Sequence, residues 1–86
     1  MVIELTSERI NVIKGLLEKT LEDEFWADQR IATGADYTAE IMTIITAQRK
    51  REGATAILNA LGVGVDCYLA GRTVEFWEIG TEKEIK

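Results

Sequence analysis

Apolar residues recur along the first third of the chain with helical spacing. At roughly 100° per residue, Ile10, Ile13, Leu17, Leu21, Phe25 and Ile31 fall in one stripe about 120° wide. Thr6 or Ser7 can cap the start of this helix, with Glu8 near the positive end of its dipole. "ATGAD" ends it: Gly34 suits the position just past a helix, and Asp36 suits the cap of the next. A second helix is predicted from Tyr37, with Ile41, Ile44 and Ile45 as its inner stripe.

That second pattern then changes face. The positions continuing the stripe are Gln48, Glu52, Thr55 and Asn59, all polar, whereas Ala54, Ile57, Leu58 and Leu61 point roughly the opposite way. Gly53 sits at the change, and a glycine inside a helix costs roughly 1 kcal/mol relative to alanine. The pattern predicts a kink, or a break into a short third helix, near Glu52–Gly53. The alternative is one straight helix that touches two different neighbours.

"GVG" at 62–64 stops the helix, and "VDCYLAGRTVEFWEI" predicts a β-hairpin closed by a two-residue Gly71-Arg72 turn of type I′ or II′. Such closure pairs Leu69 with Val74, Cys67 with Phe76 and Val65 with Glu78 on a mostly apolar face. The mixed face holds Ala70 with Thr73, Tyr68 with Glu75 and Asp66 with Trp77. This alternation fits a sheet packed on helices from one side. "VIEL" at 2–5 has strand-like residues, and "GTEKEIK" reads as a frayed, solvated tail. The expected class is α+β: two long helices as an antiparallel hairpin, then a C-terminal β-hairpin, with a short N-terminal strand able to join it.

Composition narrows what such a fold can do. Eighty-six residues make a single domain, 1–86, with a thin core, and chains this short lean on disulfides, a metal, a partner subunit or very good packing. Cys67 is the only cysteine and histidine is absent, so an intrachain disulfide is excluded and zinc chemistry is effectively closed. Oligomerisation is therefore expected. The start of the chain lacks the basic and long apolar regions of a signal peptide, no stretch is long enough to span a bilayer, and the lone thiol suits a cytoplasmic address. A net charge of −5 disfavours generic attraction to nucleic acid or anionic lipid.

Three groups of residues are candidates for function. Arg49, Lys50 and Arg51 form a basic run, while residues 18–28 hold five acids and one lysine. If the helices fold back around residues 34–35, the basic run lies beside residues 18–20, near Glu18 and Glu22, and the simplest account is pairing between helix flanks. The alternative is an anion site in which Arg49, Arg51 or Arg72 meets a nucleotide-like ligand, with Gln48, Thr55 and Asn59 along a polar seam. A DNA-binding helix-turn-helix does not fit, because charged residues precede Gly53 where small apolar ones must pack.

Glu24 and Asp28, four apart inside the apolar stripe, could bind Mg²⁺ or act as an acid/base pair. The simpler expectation is that this end of the hairpin splays into solvent or meets another subunit. Trp26, Leu16 and Val12 lie off the first stripe, and Tyr68 and Trp77 share the outer hairpin face within diagonal reach. Unplaced aromatics in so short a chain suggest an intermolecular contact surface built from Trp26, Tyr68, Trp77 and Leu16. "GVG" lacks the lysine and spacing of a phosphate loop, Cys67 has no ordinary base partner, and Ser7 is the only serine, in a capping position.

The expected function is a small non-enzymatic binding or regulatory protein (inhibitor, adaptor or accessory factor), homo-oligomeric and needing no cofactor. A phage or mobile-element origin suits its size. The alternative is a binder of a small anionic ligand at a subunit interface. A carboxylate-metal enzyme ranks third.

Overall fold

A computed structural model of the chain describes residues 5–81 and 83–85. Five elements follow in order: α1 (Ser7–Ala32), α2 (Tyr37–Ala60), β1 (Val63–Tyr68), β2 (Thr73–Glu78) and β3 (Lys83–Ile85). The class is α+β, with two antiparallel helices against a three-stranded antiparallel sheet in the order β1-β2-β3. The expected strand at 2–5 lies outside the described residues apart from Leu5, which has no regular structure and packs against the core.

The helix ends follow local chemistry. The Thr6 hydroxyl accepts the Arg9 N–H at 3.2 Å, and Asp36 accepts the Thr38 N–H at 2.9 Å. Each satisfies one of the donors that a helix start leaves open. Gly34 takes φ +97°, where a side chain would be strained, and the Ala35 N–H returns to the Arg30 carbonyl at 2.9 Å. Arg30 then grips Glu40 through two 2.8 Å hydrogen bonds, tying the two helices together beside the turn.

Of the kink or break expected near Gly53, the break does not occur: α2 continues through Gly53 as one helix. Its two halves have different neighbours: Ile44 and Ala47 are buried in the first, and Leu58 joins the core from the second. That core comprises Ile10, Leu17 and Leu21 of α1, Leu58, Val63, and Val74 and Phe76 of β2. Tertiary packing on both sides holds the helix across a glycine that is itself exposed, and a change of apolar face needs no break.

The β-hairpin differs from expectation in its turn. β1 and β2 pair Val65 with Phe76, Cys67 with Val74 and Tyr68 with Thr73, two residues out of the expected register. Residues 69–72 form a four-residue loop, closed by the Arg72 N–H donating to the Leu69 carbonyl at 3.2 Å. A type I′ turn at Gly71-Arg72 needs positive φ at both residues; here only Arg72, at φ 50°, adopts it. Because side chains alternate with period two, a slip of two leaves every residue on its expected face.

Within the segment expected to be a frayed tail, Lys83–Ile85 forms a strand. β3 pairs with β2, setting Ile85 opposite Phe76, where it packs against the core.

Candidate functional site

A polar cluster lies between the helices. Glu24 is 7% exposed, and its carboxylate is held by the Arg51 guanidinium and, at 3.4 Å, by the Gln48 amide. Arg51 also donates to the Thr20 hydroxyl at 3.3 Å, and that hydroxyl donates to the Leu17 carbonyl at 2.6 Å. Among the described residues no buried side-chain polar atom lacks a partner. Burying a carboxylate is costly unless such a network satisfies it.

This arrangement corrects several expectations. Glu24 neither splays into solvent nor waits for another subunit; it is neutralised within the chain. Its carboxylate is therefore committed, Asp28 is exposed, and among the described residues no group of three acids or cysteines could hold a metal. The basic run does answer the acids of α1, but through Arg51 and Glu24 rather than Glu18 or Glu22. Arg49 and Lys50 are exposed and in no salt bridge among the described residues.

The polar line of α2 borders a groove. Gln48, Arg51, Glu52, Thr55 and Asn59 face Val65 and Cys67 of β1 across an open space of about 440 Å³. Its one lining cation is balanced by Glu24, and Glu52 adds a negative charge, so the groove offers an anion little net attraction. Burial pushes the Cys67 thiol up, away from the thiolate that nucleophilic chemistry requires.

Arg72 lies elsewhere. It donates to Glu22 at 3.0 Å and to the Ala70 carbonyl at 2.9 Å, and its guanidinium stands 4.2 Å over the Phe25 ring. Trp26 meets Phe25 edge-on with centroids 5.2 Å apart and donates its indole N–H to Glu22 at 2.8 Å. Hydrogen bonds from Arg72 and then Trp26 hold the Glu22 carboxyl below its ordinary range. Glu22 and Glu24 point to nearly opposite sides of α1, so Arg72 and Arg51 are not brought into one anion site.

The outer sheet face changes with the register. Trp77 lies opposite Gly64 and Tyr68 opposite Thr73, so the two aromatics are no longer diagonal neighbours. The indole covers Gly64 so closely that a Cβ there would sit 2.1 Å from Cε2. The Tyr68 hydroxyl leans along its own strand to Asp66 at 3.4 Å, and the charges of Asp66 and Glu75 push its pKa up.

The most apolar surface feature is one the sequence reading did not assemble. Leu5, Ile13, Leu16, Ile57, Leu58 and Leu61 line a groove of about 610 Å³ between α1 and α2, to which no strand contributes among the described residues. Lys19, Asp23 and Lys50 line it as well, and beyond them it adjoins a second hollow bordered by Met42, Thr43 and Thr46. Leu16 is 61% exposed and Ile57 58%. The signals were present in the off-stripe position of Leu16 and the reversed face of Ile57 and Leu61. Only the packing of α2 on α1 unites them.

The fold and surface define a small α+β protein, a helical hairpin backed by a three-stranded sheet, with an apolar helix flank that is exposed among the described residues. Among the described residues no helix is long and apolar enough to cross a membrane. No protein-family model, curated protein or solved structure matched the chain in comparison.

Proposed function

We propose that the protein is a small non-enzymatic binding or regulatory protein, an inhibitor, adaptor or accessory factor. It acts in the cytoplasm as a homo-oligomer through protein contacts, and the groove between α1 and α2 is its contact surface. One observation carries this reading: Leu16, Met42, Ile57 and Leu61, four of the large hydrophobics left exposed, border adjoining parts of the same interhelical groove. A contiguous apolar patch edged by charge is the usual form of a protein-contact site, and an interhelical groove accepts a partner helix by its apolar face. The test is the mass in solution by sedimentation equilibrium. Wild type should exceed the 9.6 kDa of one chain at micromolar concentration, and Ile57→Glu should return it to that mass with its helix content intact. A wild-type monomer refutes the reading.

A second reading rests on the other groove, where Gln48, Arg51, Thr55 and Asn59 come together. It would hold a small anionic, nucleotide-like ligand by hydrogen bonds rather than net charge. A nucleotide panel should then raise the melting temperature, since binding to the folded state is linked to folding, and Asn59→Leu should abolish the rise. No shift with any nucleotide removes this reading.

A further inference from the structure

We propose that the partner on the open helix flank is a second copy of this chain, paired α1 against α1 in antiparallel fashion about a two-fold axis between Lys19 and Asp23. This rests on the reading that the flank is a protein-contact surface, and adds the occupant, its direction and its register.

The argument begins with spacing. Leu16, Lys19, Asp23 and Trp26 follow one another by three, four and three residues, and all four are exposed. At roughly 100° per residue they lie in one stripe about 80° wide, the 3-4 spacing of helices that pack side by side. That spacing reads the same in both directions. In an antiparallel pair centred on it, Leu16 of each copy meets Trp26 of the other, and Lys19 of each meets Asp23 of the other. A two-fold interface requires this reciprocity, in which residue i contacts j and j contacts i. The chemistry is complementary at every step, apolar with aromatic and cation with anion.

The monomer leaves these groups without a direct partner. Lys19 and Asp23 take part in no salt bridge or side-chain hydrogen bond among the described residues, although the Asp23 charge acts on Arg30 of the same helix. Trp26 is 50% exposed, yet its one polar atom is already satisfied by Glu22. The ring can therefore be covered by a partner without orphaning a donor. Leu16 also lines the groove with Ile57 and Leu61, which gives the incoming indole an apolar seat on two helices. The Leu16–Trp26 span is about 15 Å of helix.

The test is a charge swap read by sedimentation equilibrium on the full chain, with circular dichroism to confirm folding. Wild type should weigh twice 9.6 kDa. Lys19→Glu and Asp23→Lys each place two like-charged contacts in the dimer and should raise its dissociation constant by about tenfold or more. The double variant carrying both changes restores both pairs and should recover most of the wild-type affinity, which no loss of packing would do. A dimer broken by Ile57→Glu but indifferent to both charge reversals overturns this pairing and leaves the groove-contact reading standing. A double variant as weak as the singles also overturns the pairing. A wild-type monomer overturns both.

Discussion

Two arginine–glutamate pairs flank α1, two residues apart on that helix and on nearly opposite sides of it. Arg51 and Glu24 meet between the helices with side chains 13% and 10% exposed, whereas Arg72 and Glu22 meet at the surface with 30% and 48%. The chemistry is the same and the setting is not. In the first pair water is largely excluded, so Thr20 and Gln48 must complete the hydrogen bonding. In the second, water competes for both charges, and what distinguishes Arg72 is its backbone and its stacking on Phe25. Burial, not the identity of the pair, decides how much each contact governs the fold.

The largest effect should come from opening the buried pair from one side. Arg51→Met leaves the Glu24 carboxylate enclosed without its cation, at a cost of about 3–5 kcal/mol. For a domain of this size that is a large share of total stability, visible as a sharply lower urea midpoint with an unchanged slope. Replacing both partners, Glu24→Leu with Arg51→Met, removes the stranded charge together with the pair. The double variant should return to near wild-type stability or exceed it. If the single variant melts like wild type, the contrast between buried and exposed pairs fails.

The two pairs also differ in how legible they were. The stripe of α1, the caps at Thr6 and Asp36 and the stop at Gly34 could be read from sequence because each depends on residues within one turn. Strand faces survived an error in register because a slip of two preserves them. The hairpin turn did not, because Arg72 at positive φ is supported by Glu22 and Phe25, fifty and forty-seven residues earlier. Helix continuity through Gly53 and the pairing of β3 were likewise decided by distant partners. Folding the hairpin back by simple counting set Arg51 beside the wrong acids, since Glu24 lies more than a turn further along α1 than counting allows. The polar line from Gln48 to Asn59 was visible as a line, but which side of α2 met β1 and which was left open needed the packing.

A smaller effect separates backbone from side chain at Arg72. A left-handed conformation costs an ordinary residue about 1 kcal/mol that glycine avoids. Arg72→Ala loses the stacking on Phe25, worth about 0.5–1 kcal/mol at an exposed site, and keeps the strain. Arg72→Gly loses the same contact but relieves the strain. The glycine variant should therefore be the more stable of the two by about 1 kcal/mol in urea unfolding, with both closer to wild type than Arg51→Met. Equal stabilities would mean that φ at residue 72 relaxes once its side chain is gone.

The smallest expected effect concerns pH at the exposed pair. The Glu22 carboxyl is depressed by Arg72 and Trp26, so the folded chain binds its proton less readily than the unfolded chain. Its contribution is therefore fully present above the unfolded glutamate value, about 4.3, and is lost as pH falls through the lower folded one. Wild type and Glu22→Gln should differ by a constant amount from pH 6 to 8, and converge only as the solution becomes more acidic than about pH 4. Added salt should shrink that constant difference, because both partners are open to solvent, while leaving the deficit of Arg51→Met nearly unchanged. A Glu22→Gln difference that salt does not touch would place this pair in the same physical class as the buried one, and the contrast between the two flanks of α1 would collapse.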